Sequence, residues 1–110
     1  MKEKIDLDSS KINNVHIVGI GGAGMSAIAH ILKCKGKVIT GSDLKESKVT
    51  SRLAGQSIEV TIPHAETAVN ADIDLVVISS AIDEKNVEVQ KAKSLGIDVY
   101  SRAAMLSAIC

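Results

Sequence analysis

Aromatic side chains are almost absent. The chain has one tyrosine, Tyr100, and no phenylalanine or tryptophan. The stacking platforms on which single-stranded nucleic acids are read are thereby nearly excluded. An excess of one charge is missing too. Thirteen Lys and Arg balance thirteen Asp and Glu, so there is no basic footprint for a phosphate backbone. Cysteine is scarce. Cys34 and Cys110 form no metal-type spacing and are expected as reduced thiols, with Cys34 packing late in the first helix. No apolar run approaches the ~18 residues of a membrane span. The opening Met1-Lys2-Glu3-Lys4-Ile5-Asp6 is too charged for the apolar region of a signal peptide, and a cytoplasmic location is expected. What is present is ordinary for a globular domain: 45% apolar and 24% charged residues in a chain of 110, enough for one core and hardly two.

Glycine is the exception, because it is concentrated. Four of the eight glycines fall between positions 19 and 24. They follow the apolar run Val15-His16-Ile17-Val18 and precede Met25-Ser26-Ala27-Ile28-Ala29, which reads as strand, tight turn, helix. Gly19, Gly21 and Gly24 have the G-x-G-x-x-G spacing of a nucleotide-binding turn. Gly19 is expected to permit the turn, Gly21 to let the backbone approach a phosphate, and Gly24 to let the helix pack closely on the strand. The first N–H groups of the helix and its positive dipole end would then face the anion. A ligand-free glycine turn is less favoured, since each glycine costs up to ~1 kcal/mol in chain entropy.

The rest of the chain alternates strand and helix. Residues 1–13 are polar and mixed in charge, expected as a flexible lead, and residues 14–110 as a single domain. Strands are expected at 15–18, 37–40, 58–62, 75–78 and 98–100. Helices are expected at about 23–35, 47–54, 87–95 and from 101 onward, with one or two helical turns at 65–70. Met25, Ile28, Ala29 and Leu32 form the inward stripe of the first helix, and Ala103, Met105, Leu106 and Ile109 that of the last. Leu75-Val76-Val77-Ile78 is apolar on both faces, as in a central parallel strand. Short strands separated by helices imply parallel pairing with right-handed crossovers. The expected fold is α/β, a Rossmann-like, doubly wound open parallel sheet of about five strands in the order 3-2-1-4-5.

Ligands bind at the carboxyl ends of such strands, where the polar residues of interest cluster. Asp43 ends the second strand and can accept hydrogen bonds from ribose hydroxyls, or serve a turn. Ser42 reads equally as ligand contact or turn residue. His64 follows Pro63 and either touches a ligand or stands in solvent. Ser79, Ser80 and Ala81 leave the fourth strand opposite the glycine loop, with no G-x-S-x-G elbow to make a nucleophile. Arg102 follows the fifth strand and can pair with a phosphate or lie on the surface. His16 is expected to pack and His30 to be a surface residue. The Lys and Glu between Asp83 and Lys93 read as a solvated helix face.

Val18-Gly19-Ile20-Gly21-Gly22-Ala23-Gly24-Met25-Ser26, Gly41-Ser42-Asp43, Val77-Ile78-Ser79-Ser80-Ala81-Ile82, Gly96-Ile97 and Ser101-Arg102-Ala103-Ala104-Met105-Leu106 together resemble the bacterial Mur ligases over residues 14 to 109. Within that family they are most similar to the members that join L-alanine to UDP-N-acetylmuramate. The resemblance implies a first domain that binds the UDP sugar, a central domain that binds ATP and Mg²⁺ through a P-loop, and a last domain for the amino acid. It implies that the muramoyl carboxylate is phosphorylated and that the amine then displaces phosphate. By matching position, the loop of Gly21, Gly22, Ala23, Gly24 and Met25 would hold the diphosphate, with Gly19 among the substrate-binding residues at the turn. Ser42 and Asp43 would serve the uridine side. His64, Ser79, Ser80, Ala81 and Arg102 would line the rest. No catalytic residue or metal ligand is expected in this chain.

Three departures stand out. Pro63 replaces a usual glycine and removes a backbone donor. Val87 replaces the proline of Asn-Pro-Glu, with the helix start expected to survive. The chain contains no P-loop, so ligation would require the ATP-binding and C-terminal domains of a longer parent. The same βα turn and terminal acid would also suit an NAD-binding domain of an oxidoreductase or a nucleotide sensor. A plain interaction domain with a vestigial pocket is the remaining possibility.

Overall fold

A computed structural model describes residues 12–109. The elements run β1 (Asn14–Val18), α1 (Met25–Cys34), β2 (Val38–Ser42), α2 (Lys48–Gly55), β3 (Glu59–Thr61), a 3-10 turn (Glu66–Ala68), β4 (Leu75–Ile78), α3 (Val87–Ser94), β5 (Asp98–Ser101) and α4 (Arg102–Ile109). The expected lead falls largely on residues 1–11, which lie outside the described residues, as do Cys110 and the side chain of Ile109.

All four strand pairings are parallel, and the order is β3-β2-β1-β4-β5. This is the Rossmann-like sheet that the alternation of apolar strands and amphipathic helices implied. The register aligns the strand ends: Val18 lies opposite both Ser42 and Ile78, Ser42 opposite Thr61, and Ile78 opposite Ser101. Every residue that follows a strand therefore emerges at one edge of the sheet.

Because successive strand residues face opposite ways, the sheet has two apolar faces. Val15, Ile17, Leu75 and Val77 pack with Met25, Ile28, Ala29 and Leu32 of α1, Leu53 of α2 and Met105 of α4. Val18 and Val76 pack with Ala92 of α3 and with Val69 and Ile73. His16 shares the second face with Val18. Two local expectations need correction. Helix α1 starts at Met25 rather than near residue 23, because Gly24 adopts a left-handed conformation with φ 77°. Cys34 is exposed rather than packed, since it falls off the 25-28-29-32 stripe. The helical turns expected at 65–70 reduce to the single 3-10 turn. Among the described residues no helix is long and apolar enough to cross a membrane.

The glycine loop is clamped onto β2. The N–H groups of Gly19 and Ile20 both donate to the Ser42 carbonyl, at 2.8 and 3.0 Å. The fully buried Ile20 side chain fills the space over Gly41, where a Cβ would stand 2.4 Å from Ile20 Cδ1 and 2.8 Å from Ile20 Cβ. Gly41→Ala should therefore cost ~1–3 kcal/mol by overpacking. Gly55→Ala, at the open end of α2 with nothing within 4 Å, should cost nothing measurable. Urea unfolding of the two variants tests the contrast.

Candidate functional site

A cavity of about 580 Å³ opens at the carboxyl edge of the sheet. Three loops wall it: the glycine loop after β1, the segment Asp43–Ser47 after β2, and the segment Ser79–Asn86 after β4, with His64 closing one side. Of the residues singled out from the sequence, Gly19, Gly21, Gly22, Asp43, His64, Ser79 and Ala81 line it. Met25 and Ser42 have no exposed surface, so neither side chain reaches the cavity. Ala23, Gly24, Ser80 and Arg102 are exposed but lie off its wall. Leu44, Lys45, Glu46, Ser47, Ile82, Asp83, Lys85 and Asn86 complete the lining and were not expected. Non-periodic loops carry no pattern that reveals which way they fold.

Asp43 does more than end a strand. Its Oδ2 accepts from the N–H of Gly21 at 2.8 Å and its Oδ1 from the N–H of Leu44 at 2.7 Å. The carboxylate thus ties the glycine loop to the β2–α2 loop. Each oxygen keeps a further lone pair for a ligand hydroxyl. A Cβ on Gly21 would lie 2.7 Å from that Oδ2, so here the glycine makes room for a carboxylate of the same chain. Helix α2 begins beside it with a capping box: Ser47 accepts from the N–H of Thr50 and Thr50 Oγ1 accepts from the N–H of Ser47.

The N-terminus of α1 is built differently. It has no side-chain cap and no acid in its first turn, leaving the dipole end without a local counter-charge. The Arg102 guanidinium lies over it: a Cβ on Gly24 would stand 2.9 Å from Arg102 Nε. Gly24 was expected to permit close packing on a strand. The structure instead gives it to Arg102, brought in by the register of β5 with β4. A helix dipole and a guanidinium converge on one spot, which favours an anion.

Beneath the cavity lies a buried polar network that the sequence pattern hid. Glu88 of α3 is fully buried rather than part of a solvated face. Its Oε1 accepts from His16 Nε2 at 2.6 Å and from Ser42 Oγ at 2.7 Å, and its Oε2 from the N–H of Ala65 at 2.9 Å. His16 Nδ1 lies 2.7 Å from Thr40 Oγ1, its neighbour in register. His64 Nδ1 lies 2.8 Å from Ser42 Oγ and 3.4 Å from Glu88 Oε2. His16 thus packs, as expected, but as a partner of a carboxylate. His64 stands mostly out of solvent. The Ala65 contact anchors the loop beyond Pro63, which has no N–H to give. Asn86 Oδ1 accepts from the N–H of Glu88 at 2.8 Å, so the start of α3 survives with Val87 in second place. A signal was present: a histidine inside an apolar strand needs a buried polar counterpart. Among the described residues no group of three or more His, Cys, Asp and Glu could hold a metal ion.

Burial alone would raise the pKa of Glu88. Hydrogen bonds from His16, Ser42 and the Ala65 N–H, with the charge of His16, outweigh it and hold the carboxyl below its ordinary value. A depressed folded pKa contributes stability above the unfolded pKa and loses it as pH falls through the folded value. Glu88→Gln should therefore cost on the order of 3 kcal/mol at neutral pH. Its deficit should shrink below the ordinary value of 4.5 and fade in stronger acid. Urea midpoints of both proteins along a pH series check this; parallel curves would assign the stability elsewhere.

The pattern of loops and strand ends has known counterparts. The model of the Mur ligase family, catalytic domain, matches residues 14–110. The UDP-N-acetylmuramate–L-alanine ligase of Caldanaerobacter subterraneus is 46% identical over 106 residues, covering 96% of this chain and 23% of that protein. The enzyme of the same name from Campylobacter jejuni is 48% identical over 98 residues, covering 89% of this chain and 22% of its own length. In the crystal structure of the UDP-N-acetylmuramate–alanine ligase of Thermotoga maritima, a region of 31% identity superposes with a TM-score of 0.81, covering 84% of this chain and 21% of that one. The chain spans about a fifth of the length of these relatives. With the family model matched over residues 14–110 and the fold shared with the superposed ligase, the chain belongs to the Mur ligase family.

Proposed function

We propose that this chain forms the UDP-N-acetylmuramate-binding part of an ATP-dependent ligase that adds L-alanine to that sugar nucleotide in peptidoglycan precursor synthesis. The observation that carries the reading is the uncapped start of α1 with the Arg102 guanidinium over Gly24, an arrangement that favours an anion. The diphosphate would lie along Gly21 to Met25, against backbone N–H groups, with the Arg102 guanidinium opposite Gly24. Asp43, already bound to Gly21 and Leu44, would take a ribose hydroxyl with its remaining lone pairs. Ser79, Ala81 and His64 would border the nucleoside. Ser42 and Met25, having no exposed surface, would act by holding the loop in place. The names of the relatives support the choice of sugar nucleotide.

ATP and Mg²⁺ do not fit the residues present. Where a P-loop carries the phosphate-binding Lys directly after its last glycine, this chain has the uncharged, buried Met25. No cluster of metal-ligating side chains stands nearby among the described residues. Phosphorylation and amide formation would therefore belong to further parts of the longer protein, and this chain would bind and orient the substrate.

Calorimetric titration with UDP-N-acetylmuramate, UDP and NAD in parallel tests this. Heat with the two uridine nucleotides and none with NAD is expected. Arg102→Ala should weaken UDP binding roughly 10- to 100-fold, the range for loss of a hydrogen bond to a charged group, and Asp43→Ala should weaken it as well. Heat with NAD alone would overturn the reading in favour of a dinucleotide-binding domain.

A further inference from the structure

The buried network fixes more than the shape of the site, because its hydrogens can be counted. An ionised carboxylate only accepts. His16 Nε2 and Ser42 Oγ, at 2.6 and 2.7 Å from Glu88 Oε1, must both donate to it. The single hydroxyl hydrogen of Ser42 is then committed. Ser42 Oγ can only accept from its other neighbour, His64 Nδ1, at 2.8 Å. Glu88 Oε2, 3.4 Å from the same nitrogen, attracts that hydrogen too. His64 Nδ1 must therefore carry a hydrogen. When His64 is neutral its Nε2 is then bare. No buried side-chain nitrogen or oxygen of the described residues lacks a partner, and His64 Nε2 has none among them, so this atom has exposed surface, and His64 borders the cavity. The same count gives His16 the opposite tautomer: Nε2 carries the hydrogen, and in the neutral ring Nδ1 accepts from Thr40 Oγ1.

We infer that Glu88 is a positioning residue for ligand recognition: acting through Ser42, it holds neutral His64 as the Nδ1–H tautomer, so that Nε2 presents an acceptor to a hydroxyl or imide N–H of the bound sugar nucleotide. The ligand half of this inference rests on the function proposed above. The tautomer half does not. An imidazole in water favours the reverse tautomer, with hydrogen on Nε2. The network thus inverts a default, and it selects for a donor on the ligand where an unconstrained histidine would select for an acceptor.

The experiment is long-range ¹H–¹⁵N correlation spectroscopy of the ¹⁵N-labelled chain, at a pH above the histidine titrations. His64 should show a protonated Nδ1 and an unprotonated Nε2. His16 should show the reverse. The exposed His30 serves as the solvent-like reference. A His64 spectrum like that of His30, or with hydrogen on Nε2, overturns the inference. Ser42→Ala and Glu88→Gln should each move His64 toward the His30 pattern. If Glu88→Gln does not fold, Ser42→Ala decides alone, since it removes one buried hydroxyl and leaves the carboxylate. A folded Ser42→Ala that keeps the wild-type His64 signals would remove Ser42 from the relay and overturn it. On addition of UDP-N-acetylmuramate, the wild-type Nε2 signal should shift as it accepts a hydrogen bond, and Ser42→Ala should bind about tenfold more weakly. Binding with an unmoved Nε2 signal overturns the ligand half. Absence of binding, with the tautomers as stated, counts against the proposed substrate and leaves the positioning by Glu88 standing.

Discussion

One buried carboxylate holds the functional end of this molecule together. Glu88 reaches from α3 to His16 in β1, to Ser42 at the end of β2 and to the backbone at Ala65. An unpaired carboxylate at that depth would cost several kcal/mol. Each of its partners is therefore constrained to stay, and the elements that bear them stay with them. The carbonyl of the same Ser42 receives the N–H groups of Gly19 and Ile20. The glycine loop above the sheet and the ion pair below it are thus joined through a single residue. Replacing the whole set by apolar groups could preserve stability, but it would not orient a histidine.

The site is assembled by register as much as by motif. Parallel strands of unequal length end level with one another, so that Gly19, Asp43, Ser79 and Arg102 emerge side by side although they are scattered along the sequence. Two electrostatic devices then divide the labour. An uncapped helix start with a guanidinium attracts an anion. A carboxylate between two loop N–H groups fixes the wall beside it. Asp43 meets the loop at Gly21 and Arg102 meets it at Gly24, so one short loop carries both a hydroxyl-seeking and a phosphate-seeking group.

Much of this was legible in the residues. Apolar alternation and glycine punctuation placed the five strands and four helices of the described residues, and the expected order 3-2-1-4-5 is the order of the sheet. The glycine loop, Asp43, His64 and Ser79 stand out because strand ends are where such folds bind ligands, and Gly19, Gly21, Gly22, Asp43, His64 and Ser79 do line one cavity. Glu88 was not found, because it sits among Lys and Glu on a helix whose charged residues are mostly solvated. Only its pairing with His16, seventy-two positions away, distinguishes it, and no local pattern encodes that distance. Cys34 differs from expectation for a simpler reason: position 34 falls off the 25-28-29-32 stripe, so its side chain is exposed. The role of Gly24 was misread because its neighbour, Arg102, arrives from the far end of the sheet.

The central position of β1 has a consequence for how the chain is made. Its two partners are β2, next in sequence, and β4, which begins at Leu75. During synthesis the first strand must wait with one edge bare until the intervening residues 19–74 have emerged. Those residues include a second strand pair that must leave that edge alone. Val15, Ile17 and Val18 form an apolar edge of the kind that pairs indiscriminately, and contacts so distant in sequence form slowly. Helix α1, contiguous with β1, packs on the face formed by Val15 and Ile17 and is the first structure able to cover that apolar face. The glycine turn thus has a task that precedes any binding: it closes a local βα unit in which α1 covers the apolar face of the nascent strand.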